Sequence, residues 1–196
     1  MKKILLAIII AATAISAYAQ PRAAGLRVGV SGFEADYQHT FVNNDQFLEG
    51  TFGVDFGYNI NGEPGVKAAA TYNFIWAHPA WTNKGSWALY AGPGVAIGYV
   101  NDNTAWKGAD GNIQISGEMN GFMLGICGQV GLEYTFWFPL QLSVDLRPVV
   151  GLHVSESYRV NNPIEPSKPF IYKSQASFYD NGLLGLVPSI SVRYRF

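Results

Sequence analysis

Charge and cysteine are both scarce in this chain. Charged residues make up 14% of its 196 positions, where a soluble domain carries about 25%. The single thiol, Cys127, cannot pair within the chain, which excludes a disulfide scaffold. A formal net charge of -1 leaves no basic footprint, so nucleic acid is excluded as a partner. Helical patterning is missing too: apolar residues do not recur at i, i+3, i+4 and i+7, and after residue 19 no run of about 18 apolar residues offers a transmembrane helix. Aromatics at 14% and 22 glycines take the place of the missing charge, a composition that excludes disorder.

The opening of the chain is a processing pattern. Lys2 and Lys3 precede an apolar stretch from Ile4 to Ile15, and Ala17-Tyr18-Ala19 is a small-x-small cleavage site, so residues 1–19 are expected to be a secretory signal peptide. No cysteine follows that site, which argues against a lipid-anchored lipoprotein. The remaining domain, 20–196, loses two of the 13 basic residues and keeps all 14 acidic ones, for a net charge of -3.

Within that domain the period is two. From Gly182 to Phe196 the even positions are Leu184, Leu186, Pro188, Ile190, Val192, Tyr194 and Phe196, opposed by small or charged residues such as Ser189, Ser191, Arg193 and Arg195. Segments 140–154 and 122–136 alternate in the same way. These runs exceed the roughly 5 to 6 residues of a soluble strand and match the ~9 to 11 that a tilted strand needs to cross a bilayer. The face opposite the apolar one holds Gly, Ser, Thr and Ala with scattered ions, which suits a narrow lumen, so the apolar face is expected to point outward into lipid. A spanning sheet must close on itself, because an open edge in hydrocarbon leaves amides unpaired.

Further strands are read at Leu26–Ser31, Phe33–Phe41, Phe47–Tyr58, Val66–Trp76 and Trp87–Val100. Breaking the first run at Ser31-Gly32, where the alternation changes phase, makes the total eight and keeps the long segments on one side, as single-chain barrels do. The expected fold is all-β: an eight-stranded antiparallel up-and-down transmembrane β-barrel with both termini periplasmic. Segments 101–120 and 155–178 become extracellular loops. Tyr37, Phe41, Phe74, Trp76, Trp87, Phe136 to Phe138, Tyr194 and Phe196 then fall at one end as an interfacial girdle, and Tyr58, Tyr99 and Phe122 mark the other.

Parity directs Arg27, Glu34, Asp36, Glu49, Asp55, Lys67, Glu133, Asp145, Arg147, Arg193 and Arg195 into the lumen. Eight strands enclose a space just wide enough for side chains, so these charges are expected to form a hydrogen-bonded plug, with a narrow small-solute pore as the alternative. Arg147 is expected to pair with acids on neighbouring strands, Glu133 being the nearest candidate across the hairpin at Trp137 to Pro139.

Catalytic signals are weak. His153, Ser155 and Glu156 lie close in sequence as base, nucleophile and acid of an outer-membrane lipid-modifying enzyme, but parity turns His153 and Ser155 away from lipid. His39 and His78 have no partners at metal-ligand spacing, and Cys127 faces inward as a small filler. The expectation is a monomer that is not an enzyme and carries no cofactor or metal. Its two long loops display Trp106, Met119, Tyr158, Phe170 and Tyr172 among polar residues and prolines, as a surface for an extracellular ligand or host partner would.

The signal pattern, the eight alternating strands and the ending Ile190-Ser-Val-Arg-Tyr-Arg-Phe196 resemble the small outer-membrane β-barrels of the OmpX/OmpA-domain type. Gly25-Leu-Arg-Val-Gly together with Trp87-Ala-Leu-Tyr-Ala-Gly-Pro-Gly94 is similar to small barrels of the Bacteroidetes. The resemblance implies location in the cell outer membrane among its lipids. It also implies that the barrel-assembly machinery reads Ile190, Val192, Tyr194 and Phe196, and it brings no catalytic motif.

Overall fold

The computed structural model describes residues 22–41, 45–56, 64–100, 115–118, 121–160, 171–181 and 188–196. The expected signal peptide at 1–19, Tyr58, Leu184, Leu186, Trp106, Met119 and Phe170 lie outside the described residues. Every regular element among the described residues is a strand: β1 Arg22–Gly29, β2 Gly32–Thr40, β3 Gln46–Asp55, β4 Gly65–Ala77, β5 Ser86–Val100, β6 Ile115–Glu118, β7 Gly121–Thr135, β8 Leu140–Leu146, β9 Val149–Val160, β10 Ile171–Asn181 and β11 Pro188–Arg195.

These segments form eight staves. β8 and β9 belong to one, since both pair antiparallel with β7 in a single register, Val130 opposite Leu146 and Phe122 opposite Val154. The break between them falls at Pro148, which has no N–H to give to the ladder. Its carbonyl still accepts from the Gly128 amide at 3.2 Å. β10 and β11 form the next stave, pairing with β9 and β8 respectively. Asn181 faces Val149 and Pro188 faces Leu146, so this last stave is four residues longer than its neighbour over the interval. β11 pairs with β1 from Ala23 opposite Arg195 to Gly29 opposite Ser189, which closes the barrel. All pairings are antiparallel, and β4 against β5 shifts register between Ile75 and Ala77, a bulge that adds local twist.

The stagger sets which side chains meet. Partners followed round the barrel run from Ser143 through Ser191, Arg27, Glu34, Gly53, Lys67, Gly98 and Met123 to His153, ten residues further along the starting stave. Strands therefore tilt steeply against the barrel axis, as closure of eight of them requires.

Several boundaries differ from those expected. β1 starts at Arg22, four residues before Leu26, and β3 ends at Asp55. The segment 155–178 is not a single loop: β9 continues through Ser155 to Val160 and β10 starts at Ile171. Within 101–120, Ile115–Glu118 forms β6 and pairs with the distal part of β9. The polar composition of these tips carries no alternation of apolar residues, so no strand is marked in their sequence, and they become strands by pairing with each other.

Alternate residues face inside and outside on every stave. On β7, Phe122, Leu124, Ile126 and Val130 are exposed, while Met123, Gly125, Cys127, Gln129, Gly131 and Glu133 are buried. On β11, Ile190, Val192 and Tyr194 are exposed and Ser189, Ser191 and Arg193 are buried. The change of phase between β1 and β2 is present: Leu26, Val28 and Val30 face outward on one side of the turn, Phe33 and Tyr37 on the other.

Candidate functional site

The interior of the barrel is polar, the reverse of a water-soluble core. Arg27, Glu34, Asp36, Glu49, Asp55, Glu133, Asp145 and Arg193 are all buried, together with Gln38, Thr51, Thr71, Asn73, Gln129, Gln141 and Ser143. The end at which β1 begins and β11 finishes is the terminal end, and the opposite one is the far end.

Two ionic groups stack along the axis. In the far half, Arg27 spans Glu34 at 2.8 Å and Asp145 at 2.6 Å. Arg147 also pairs with Glu34 and donates to Thr51 Oγ1 at 3.0 Å. Lys67 donates to Asp55 at 2.5 Å and to Ser31 at 3.0 Å, with Glu34 further away at 3.8 Å. Three bases thus meet three acids.

Nearer the terminal end one guanidinium serves three carboxylates. Arg193 Nε donates to Asp36 at 2.5 Å, Nη2 to Glu49 at 3.1 Å and Nη1 to Ser143 at 2.8 Å, and Glu133 stands 3.8 Å from Nη1. Glu49 and Glu133 also take amide donors. Gln38 Nε2 reaches both Glu49 and Glu133 at 3.2 Å, and Gln129 Nε2 reaches Glu49 at 2.9 Å. Gln141 in turn donates to the Gln38 carbonyl oxygen at 3.0 Å, and Thr71 to Gln129 at 2.5 Å. Fixed amide and hydroxyl dipoles thus supplement the single guanidinium in holding the three buried carboxyl groups.

Ten of the eleven residues directed inward by parity therefore come together in ion pairs or at their margin; Arg195 does not. It is half-buried at the terminal end, joins no ion pair among the described residues, and lines a cavity with Glu133 and Gln141. The expected pair of Arg147 with Glu133 is corrected. The hairpin sets Glu133 opposite Ser143, and Arg147 crosses the lumen to Glu34 on β2.

Aromatic and apolar side chains inside the barrel were missed. Tyr90 is fully buried with its ring 5.1 Å from that of Phe47, and Ala96, Val100, Met123 and Tyr179 form an apolar cluster in the far half. Parity held the signal, since Phe47 shares the odd positions of β3 with Glu49 and Asp55, and Tyr90 lies two residues from Ala88 on β5. The assumption that apolar side chains face lipid hid it. Gly131 lies against the Tyr90 ring, which fills the space a side chain there would need.

His153 points inward, is fully buried, and its Nε2 lies 2.8 Å from the Val100 carbonyl oxygen. Ser155 is buried on the same face, and the side chain of Glu156 lies outside the described ones. Cys127 is a buried free thiol facing inward. His78 sits in the turn before β5, beside the Trp87 carbonyl at 3.3 Å and Asp45 at 3.4 Å. Among the described residues no group of His, Cys, Asp and Glu has the arrangement of a metal site.

Outside, exposed apolar side chains recur on every stave, among them Leu26, Phe52, Val95, Ile126, Leu152, Phe178 and Ile190. A soluble monomer seldom exposes more than a few hundred Å² of contiguous apolar surface. Rings crowd the terminal end. Trp81, Trp87, Tyr134, Phe136 and Trp137 stack in sequence at centroid separations of 4.6–6.0 Å, and His39, Phe41, Tyr72 and Phe74 form a second string. Lys84 lies 5.5 Å from the centre of the Trp137 ring, and Phe196 is exposed at the same end. At the other end Tyr99 and Phe122 pair across β5 and β7.

Comparison of the chain with protein-family models, with curated proteins and with solved structures finds no match. The class of the molecule accordingly rests on its own geometry: a closed, eight-stranded antiparallel barrel with an ionic interior and an apolar exterior.

Proposed function

We propose that the chain is an outer-membrane β-barrel of a Gram-negative bacterium, exported by the signal peptide at residues 1–19. In this reading it is monomeric and not an enzyme, and its plugged lumen supports a structural role or surface recognition through the far-end segments. The observation that carries this reading is the inverted polarity of the wall, with charge inside and Leu, Ile, Val and Phe outside on every stave. Lipid tails are the solvent that stabilises such an exterior, and the ring of Trp, Tyr and Phe at the terminal end suits the headgroup boundary. The terminal end then faces the periplasm. β6 and the distal parts of β9 and β10 stand on the cell surface, where a ligand or host partner meets them.

A plug is favoured over a pore by the ion pairs themselves. Arg27, Arg147 and Arg193 reach carboxylates on other staves, so their side chains cross the bore. Passage of an ion requires separating buried pairs, each separation costing several kcal/mol in a low dielectric. The test is the location and conductance of the unmutated protein. Fractionation is expected to put it in the outer membrane, and planar bilayers holding it are expected to show no steady channel. Recovery in the soluble periplasm would overturn the location, and a large steady conductance would overturn the plug.

A further inference from the structure

Above the ionic group of the far half lies a cavity of about 180 Å³. One wall is charged: Arg27, Glu34, Lys67 and Arg147. The facing wall is apolar: Ala96, Met123, Val149 and Tyr179. Val30, Ser31 and Gly32 also line it, so it reaches the rim at the β1–β2 turn. Only two residues link those strands, and the barrel wall is low there, whereas β9 and β10 continue pairing as far as Arg159 opposite Ile171.

We propose that this cavity is a binding site for a small neutral amphiphile, a molecule of about six to eight heavy atoms with a hydrogen-bond-accepting head and a short apolar tail. Size sets the first limit, because an engineered cavity of about 150 Å³ holds benzene. The two walls set the second. Water satisfies the charged wall and wastes the apolar one, a hydrocarbon does the opposite, and an amphiphile matches both.

Charge sets the third. Arg27, Lys67 and Arg147 are balanced by Glu34, Asp55 and Asp145, so an anion entering would leave one buried negative charge uncompensated. A neutral head does not. Lys67 is the charged residue to meet it: its side chain is 18% exposed, and its ammonium has three N–H groups, of which the described partners within hydrogen-bond distance, Asp55 and Ser31, take two. An alcohol, phenol or amide oxygen accepts the third while the tail packs on Met123 and Tyr179. The inference rests on the fold and its interior and holds whatever the cellular location.

Among the described residues Met123 is the single methionine and it lines this cavity, which supplies the readout. Residues 20–196 carrying methionine labelled with ¹³C at the ε-methyl are placed in lipid nanodiscs and titrated separately with 1-pentanol and with pentanoate. A saturable shift of the Met123 methyl by pentanol is expected, with pentanoate at least tenfold weaker. Filling the cavity by Ala96→Leu, or by the smaller Ala69→Val, is expected to abolish the shift in whichever variant retains the barrel. A shift that never saturates, one that survives the filled variants, or binding of pentanoate as tight as that of pentanol would overturn the proposal. The comparison of the two titrants uses the unmutated protein and stands even where a filled variant fails to fold.

Discussion

Arg147 shows what alternation along a strand reveals and what it leaves out. Inward direction follows from period two, and the charged residues that parity directs inward lie inside or at the rim of the barrel. The partner does not follow, because it depends on the ten-residue stagger, which only closure determines. The nearest acid across the hairpin by number is Glu133, yet the tilt of the staves brings the guanidinium to Glu34 on β2. Removal of one member of a buried pair typically costs about 3 to 5 kcal/mol, whereas removal of both costs much less. In urea unfolding from micelles, Arg147→Met is therefore expected to destabilise strongly, and Glu34→Gln in the same chain to restore part of the loss. Arg147→Met combined with Glu133→Gln is expected to be additive. Coupling to Glu133 and none to Glu34 would contradict the pairing.

Tyr90 is the other residue whose place was illegible, since an aromatic on an amphipathic strand is ordinarily assigned to the lipid side. Its ring lies over Gly131, its cross-strand partner on β7, where an added Cβ would also approach the Asp145 Cβ. A methyl at Gly131 collides with a ring that is fully buried, and overpacking of that kind costs about 1 to 3 kcal/mol. Gly131→Ala is expected to lose stability in that range. Gly128→Ala meets no atom within 4 Å and is expected to stay within about 0.5 kcal/mol of the unmutated protein. Equal effects in the same unfolding assay would argue that the ring moves freely.

Among the elements, β7 displays the period most plainly and was legible almost to the residue. The stave made of β8 and β9 was legible as far as Val154, because beyond that residue it is held by pairing with β10 and β6 and has no apolar alternation of its own. Ile126, near the middle of β7 and 66% exposed, distinguishes lipid from water outside the wall. An arginine at the bilayer midplane costs about 2 to 4 kcal/mol, falling to about 0 to 1 near the interfaces. Ile126→Arg is expected to cost the larger amount and Tyr194→Arg, close to the terminal end, the smaller, measured as folding equilibria in lipid. A neutral Ile126→Arg would mean that this face meets water.

β11 carries the second expectation at this scale. Ile190, Val192, Tyr194 and Phe196 alternate on the outer face at this end of the chain, and under the outer-membrane reading proposed above such an ending is the segment read during assembly. One exposed terminal ring adds only about 1 to 2 kcal/mol by burial against lipid. Deletion of Phe196 is accordingly expected to leave the purified barrel nearly as stable in detergent and to lower its level in the outer membrane of cells several-fold. Unchanged membrane levels would remove the assembly role from this residue.

At the scale of the whole molecule, strand count and closure were legible because a spanning sheet allows no open edge and an even count keeps the long connections together. The apolar cluster and the cavity of the far half were not, since both arise where Ala96, Met123 and Tyr179 from three staves converge. Everything proposed of location rests on one physical claim, that the exterior of this barrel requires lipid. Residues 20–196, unfolded in urea and diluted either into buffer or onto lipid vesicles, test it directly. Folding only with lipid is expected, seen as β-type circular dichroism and a gel band whose migration changes on boiling. A monodisperse, folded β protein in lipid-free buffer would contradict it.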